Sequence, residues 1–144
     1  MEINGLPLHP LLVHTAVVFG PIAALAAMVY AVLPSWRDRL RLPMAGLAVV
    51  AGLAIVAASL SGNSFLDSRP ELGQLPAVQT HEDRAGIALW VTLGFSVVAV
   101  ATAWLHERPG AVRVALNVLL GLSAAATLVI VVLTGDAGSR AVWG

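Results

Sequence analysis

Formal charge is confined to a minority of this chain. Residues 3–36, 42–66, 85–106 and 114–135 contain no Asp, Glu, Lys or Arg. These four stretches hold 34, 25, 22 and 22 residues, so all sixteen formal charges fall in the remaining 41 of 144 positions. A charge at the bilayer centre costs about 2.5–3.5 kcal/mol on insertion scales, and a helix needs about 20 apolar residues to cross the hydrocarbon. The segregation therefore predicts four membrane spans, near 10–33, 43–62, 84–105 and 111–134, in one membrane domain covering 1–144. Helices buried in a soluble bundle would show polar faces at helical period, and none of the four does. The expected fold is all-α: an integral membrane four-helix bundle with up-down topology.

Composition narrows the function classes. The chain is 58% hydrophobic and 11% charged, with eight basic and eight acidic residues and no Cys. A net charge of zero argues against a nucleic-acid partner. Without Cys there is no disulfide framework, thiolate metal site, iron–sulfur cluster or Cys nucleophile. Arg37, Arg39, Arg41, Arg108 and Arg113 fall in the two short connections. Arg69, Arg84 and Arg140 fall on the opposite side. The positive-inside rule then places the short connections in the cytoplasm and both termini outside, with the 63–83 segment as a long outer loop. The first span is too long for a cleaved signal peptide and follows Glu2 rather than a basic segment. Tyr30, Trp36, Trp104 and Trp143 fit interfacial positions, and Trp90 a packing position.

Local signals mark the helix ends. Pro10 and Pro43 suit the starts of the first two spans, and Thr80 with Asp83 suits a capping box opening the third. Gly135 suits the end of the fourth. Pro21 lies within the first span and leaves the Val17 carbonyl without its helical donor. Small residues at Ala48, Gly52, Ala57 and Ser61, and at Gly121 and Ala125 beside Asn117, predict close helix contacts.

The chemistry rests on four histidines. His9 precedes the first span, His14 lies about one turn inside it, and His81 opens the third. His106 sits at the inner end of the third, beside Glu107. His9, His14 and His81 gather on one membrane face, with Asp136 at the end of the fourth helix. Neutral imidazole ligates iron, copper or zinc, and helix bundles house haem. His14 and His81 are therefore candidate axial ligands for one b-type haem, with His9 nearer the entrance. Alternatively His9, His14, His81 and Asp136 hold a divalent metal ion. No G-x-S-x-G, phosphate loop or H-E-x-x-H occurs. The leading expectation is a non-enzymatic membrane subunit or scaffold in the lipid bilayer. Its partner would be a membrane redox or other protein, or a second copy in a homo-oligomer.

The opening Gly5-Leu-Pro-Leu-His9-Pro10-Leu-Leu-Val-His14 is distinctive. It resembles the start of the bacterial membrane proteins grouped as domain-of-unknown-function family 2231. Gly62 and Asp67, His81, and Gly135 and Gly138 with Trp143-Gly144 match further features of that family, over nearly the whole chain. Family members usually place Phe-Pro after the second His, where this chain has Thr15-Ala16, and they close on Gly-x-x-Gly-Gly. The resemblance implies a four-helix protein of the bacterial inner membrane; the positive-inside reading turns its histidine cluster outward.

Overall fold

Long apolar runs without polar faces leave the backbone one way to satisfy its N–H and C=O groups in lipid, the α-helix. The computed structural model describes residues 8–144 and the backbone of 2–3 and 6–7, so Gly5 of the opening motif lies outside the described residues. Four helices carry the fold: α1 (Leu8–Val32), α2 (Arg37–Asp67), α3 (Pro76–Trp104) and α4 (Ala111–Trp143). Each is long and apolar enough to cross a membrane. Apart from these and two short 3₁₀ turns, Pro34–Trp36 and Leu72–Gln74, the described backbone holds one antiparallel pairing, Glu2–Ile3 with Leu6–Pro7. The expected four-helix, all-α membrane architecture is the one observed.

The helices outrun the expected spans. Helix α2 begins six residues before Pro43, which therefore lies inside the helix. Helix α3 starts at Pro76, the first helical position, where the missing N–H costs little. Thr80 is thus no N-cap; its hydroxyl donates to the Pro76 carbonyl at 2.9 Å, within the helix. The expected 63–83 loop shrinks to residues 68–75, tightened by the Leu72–Gln74 turn. Helix α4 runs through Gly135 to Trp143. Pro21 is accommodated within a continuous α1.

Alanine dominates the packed interior. Ala23, Ala24, Ala27, Ala48, Ala51, Ala99 and Ala124 are buried around Phe95, Met44 and Leu120. Small side chains let helix backbones approach, which matters where lipid supplies no hydrophobic drive between helices. Large apolar residues point outward instead, as lipid permits. Trp90 is 74% exposed and Trp104 82%, so Trp90 faces the surroundings rather than the core. Tyr30, expected at the interface, is buried. The packed stripe of α4 is Leu120, Ala124, Thr127 and Val131; Ala125 is exposed.

Helix α1 packs on α2 and α4, and α3 packs on α4 and α2, so α1 and α3 stand at opposite corners. The up-down order brings the start of α1, the end of α2, the start of α3 and the end of α4 together at one end. The short connections, with Arg37, Arg39, Arg41 and Arg108, lie at the other.

The buried stripes of the corner helices correspond. Ala16, Gly20, Ala23, Ala24, Ala27 and Tyr30 of α1 lie 72 residues before Ala88, Thr92, Phe95, Ser96, Ala99 and Thr102 of α3. Met44, Ala48, Ala51 and Ser61 of α2 lie 76 residues before Leu120, Ala124, Thr127 and Ala137 of α4.

Candidate functional site: two anchored imidazoles at one end of the bundle

His9 stands in the first turn of α1 and reaches across to α2. Its Nδ1 lies 3.1 Å from the Ala58 carbonyl oxygen and 3.1 Å from Ser61 Oγ. Ser61 spends its own proton on the Ala58 carbonyl at 2.9 Å. Both partners therefore accept, and His9 Nδ1 must carry the proton. His81, in the second turn of α3, reaches across to α4. Its Nδ1–H donates to the Thr134 carbonyl at 3.1 Å. A proton fixed on Nδ1 leaves the lone pair of a neutral imidazole on Nε2. The ring centroids of His9 and His81 are 6.4 Å apart, with planes at 70°. Phe65 stacks beside His9 at 6.3 Å, and the Arg69 guanidinium lies over the Phe65 ring at 4.9 Å.

Two glycines form the floor beneath the rings. A Cβ on Gly62 would sit 3.0 Å from His9 Cε1, and one on Gly138 would sit 3.1 Å from His81 Cε1 and Nδ1. A larger residue at either position requires the imidazole above it to shift.

The other expected ligands are placed differently. His14 lies on the exposed face of α1, and its Nδ1–H donates to the Pro10 carbonyl of its own helix. The described ring contacts join His81 to His9. The Asp136 carboxylate accepts from Arg140 Nε at 3.0 Å and lies 3.9 Å from an Arg84 nitrogen, so two guanidinium groups occupy it. Among the described residues, no group of three or more His, Asp or Glu side chains is arranged to hold a metal ion.

The opposite end carries a network that sequence reasoning missed. The Tyr30 hydroxyl donates to His106 Nδ1 at 2.7 Å, and His106 Nε2 donates to Asp38 at 2.8 Å. Both nitrogens of His106 are thereby engaged. Arg37 donates to the Tyr30 and Ala31 carbonyls, Arg41 to Ala103 and Arg113 to His106. These partners are up to 76 residues apart, and no local spacing announces them. The one available signal was a tyrosine inside a span, where a buried hydroxyl needs a partner.

The family model described as "Predicted membrane protein (DUF2231)" matches residues 5–144. The chain belongs to this family. The match runs through all four helices and both anchored histidines, and it agrees with the resemblance carried by the opening motif. No curated protein and no solved structure matches the chain. The family's description names a membrane protein and no activity.

Proposed function

We propose that this protein is a non-enzymatic membrane module that holds one nitrogen-preferring transition-metal centre through Nε2 of His9 and Nε2 of His81. The observation that carries this reading is the anchoring of the two rings. Each Nδ1–H is committed to a carbonyl of the neighbouring helix, at Ala58 and at Thr134, and the rings stand 6.4 Å apart. Metal-ligating imidazole characteristically donates its other nitrogen in this way, which fixes tautomer and orientation. With metal–nitrogen bonds of about 2.0–2.1 Å, two imidazoles on one metal place their ring centres roughly 5 Å apart at a tetrahedral angle and roughly 6.4 Å apart on opposite sides of the metal. The observed separation needs little adjustment. Imidazole suits iron, copper, nickel and zinc. Two protein ligands leave the remaining positions to water around an ion or to the macrocycle of a haem. The proposed place is the bacterial inner membrane. There the Arg-rich end faces the cytoplasm and the histidine end faces outward, as the positive-inside rule favours.

The test purifies the full chain from membranes supplied with iron and haem precursor, or with copper and zinc, and reads absorption spectra and metal content. A Soret band lost in His9→Ala and in His81→Ala identifies haem as the source. Stoichiometric copper or zinc without that band, lost in the same variants, identifies a simple ion. His14→Ala keeps either centre. Acidification releases it, because a proton on Nε2 takes the lone pair. A folded protein that takes up neither haem nor metal ion overturns the reading.

A further inference from the structure

We infer that the bundle is two copies of one helical hairpin, α1–α2 and α3–α4, related by a pseudo-twofold axis along the bundle, and that Gly62 and Gly138 are equivalent positioning residues that seat His9 and His81 beside that axis.

Three independent sets of observations coincide. First, the buried stripe of α1 recurs in α3 at a shift of 72 residues, and most of that of α4 repeats α2 at 76. The four-residue difference falls between Trp104 and Arg113. Second, the histidine ends are built alike. His9 bonds the Ala58 carbonyl and rests on Gly62, four residues further on. His81 bonds the Thr134 carbonyl and rests on Gly138, again four further on. Ala58 and Gly62 lie 76 residues before Thr134 and Gly138, and His9 lies 72 before His81. Each element thus keeps the shift of its own helix. Third, the opposite end obeys the same relation. Arg37 and Arg113 each donate to the carbonyl seven residues before, those of Tyr30 and His106. Tyr30, whose equivalent in the α1–α3 stripe is Thr102, meets the His106 side chain at 2.7 Å, four residues beyond that position.

Helices at opposite corners of a square bundle touch only where side chains reach the central axis. At one end the equivalent positions His9 and His81 meet there; at the other Tyr30 meets His106, four residues past its own equivalent Thr102. A ligand between the two imidazoles would therefore sit on the axis, with each hairpin supplying one nitrogen in the same tautomer. Glycine follows at the fourth residue past each anchoring carbonyl because the ring lies flat where a Cβ would project. The symmetry also identifies a dispensable contact: the position equivalent to Ser61 is Ala137, so the Ser61 hydroxyl is not what fixes the tautomer.

The experiment uses the full-length protein in micelles with ¹⁵N-labelled histidine, free of metal, and reads the tautomer and shift of each ring. His9 and His81 are expected as Nδ1–H tautomers and His106 as Nε2–H. Gly62→Ala is expected to move the His9 signals and leave those of His81, and Gly138→Ala to do the reverse. Gly135→Ala, with open space around its Cβ, changes neither. Ser61→Ala, which leaves the helix backbone untouched, keeps His9 in its tautomer. Only one arm rests on the metal-binding reading: each floor substitution lowers metal affinity by about tenfold, and by the same factor. Rings unmoved by Ala at Gly62 or Gly138, both rings moved by either one, or a His9 tautomer lost with Ser61 overturns the inference. Expected ring signals in a protein that binds no metal overturn the ligand reading alone.

Discussion

Hydroxyl groups in the interior of this bundle bond across helices, bond within their own helix, as Ser61 and Thr102 do, or have no partner among the described residues. Ser96 Oγ donates from α3 to the Ala48 carbonyl of α2 at 2.7 Å and lies 2.9 Å from the Thr92 carbonyl. Thr92 Oγ1 and Thr127 Oγ1, by contrast, are buried with no hydrogen-bond partner among the described residues. A buried hydroxyl without a partner is a cost, whereas one that bridges helices contributes about 1 kcal/mol. Thr92→Val and Thr127→Val are therefore expected to be neutral or stabilising by up to about 1 kcal/mol, and Ser96→Ala destabilising by about 1 kcal/mol. Reversible unfolding in mixed micelles measures all three, and the opposite order would refute this assignment of partners. Single residues also show where sequence reasoning stops. His9 and His81 were legible as candidates because ionisable groups are scarce in such a chain. Ranking His14 above His9 followed from depth alone. Five residues turn a helix through about 500°, so His14 points about 140° away from His9. A face turned toward α2 at His9 is turned away at His14. Asn117, the one side-chain amide inside the four expected spans, forms no hydrogen bond among the described residues; Ser96 bonds across the helices instead.

At the scale of elements, charge did not mark where the helices end. Asp67, Glu82, Asp83 and Arg84 lie outside the four charge-free stretches, yet all four are helical. Nothing in that stretch of α3 breaks a helix after Pro76, so helical hydrogen bonding runs through the charged residues. Helix α4, with 33 residues, extends about 50 Å against a hydrocarbon core of about 30 Å. The small-residue stripe of α2 was legible and is buried at Ala48, Gly52 and Ser61. The partner it meets was not, because spacing on one helix does not name its neighbour. Gly52 is the close contact: a Cβ there would lie 2.8 Å from Ser96 Oγ. Gly52→Ala is expected to break the Ser96–Ala48 bond and destabilise by roughly 1–3 kcal/mol. Gly46→Ala on the same helix meets open space and should be neutral or stabilising by about 0.5–1 kcal/mol. Equal effects at the two glycines would show that α2 and α3 do not meet at Gly52.

For the whole molecule, the fold class was legible from the four charge-free stretches, because lipid tolerates few alternatives to a helix. What those stretches cannot carry is which corners adjoin, since every span is apolar all round. The position of the four corners determines which histidines meet, and so the site was less legible than the fold. The two ends of the bundle differ in charge. Arg37, Arg39, Arg41, Arg108 and Arg113 crowd one end. At the other, Arg69, Arg84 and Arg140 stand among Asp67, Glu71, Glu82, Asp83 and Asp136. Orientation follows the distribution of Arg and Lys in short connections, to which acidic residues contribute little. The Arg-rich end is thus expected in the cytoplasm. A chain with no Cys allows a direct test, because one introduced thiol reports one position. Ser35 and Glu71 are both exposed, lie at opposite ends and carry no positive charge, so replacing them leaves the orienting signal intact. In intact cells a membrane-impermeant maleimide should label Glu71→Cys, and Ser35→Cys only after permeabilisation. The reverse pattern would invert the orientation and place the paired imidazoles of His9 and His81 at the cytoplasmic face. Any metal they bind would then be drawn from the cytoplasm, not from outside the cell.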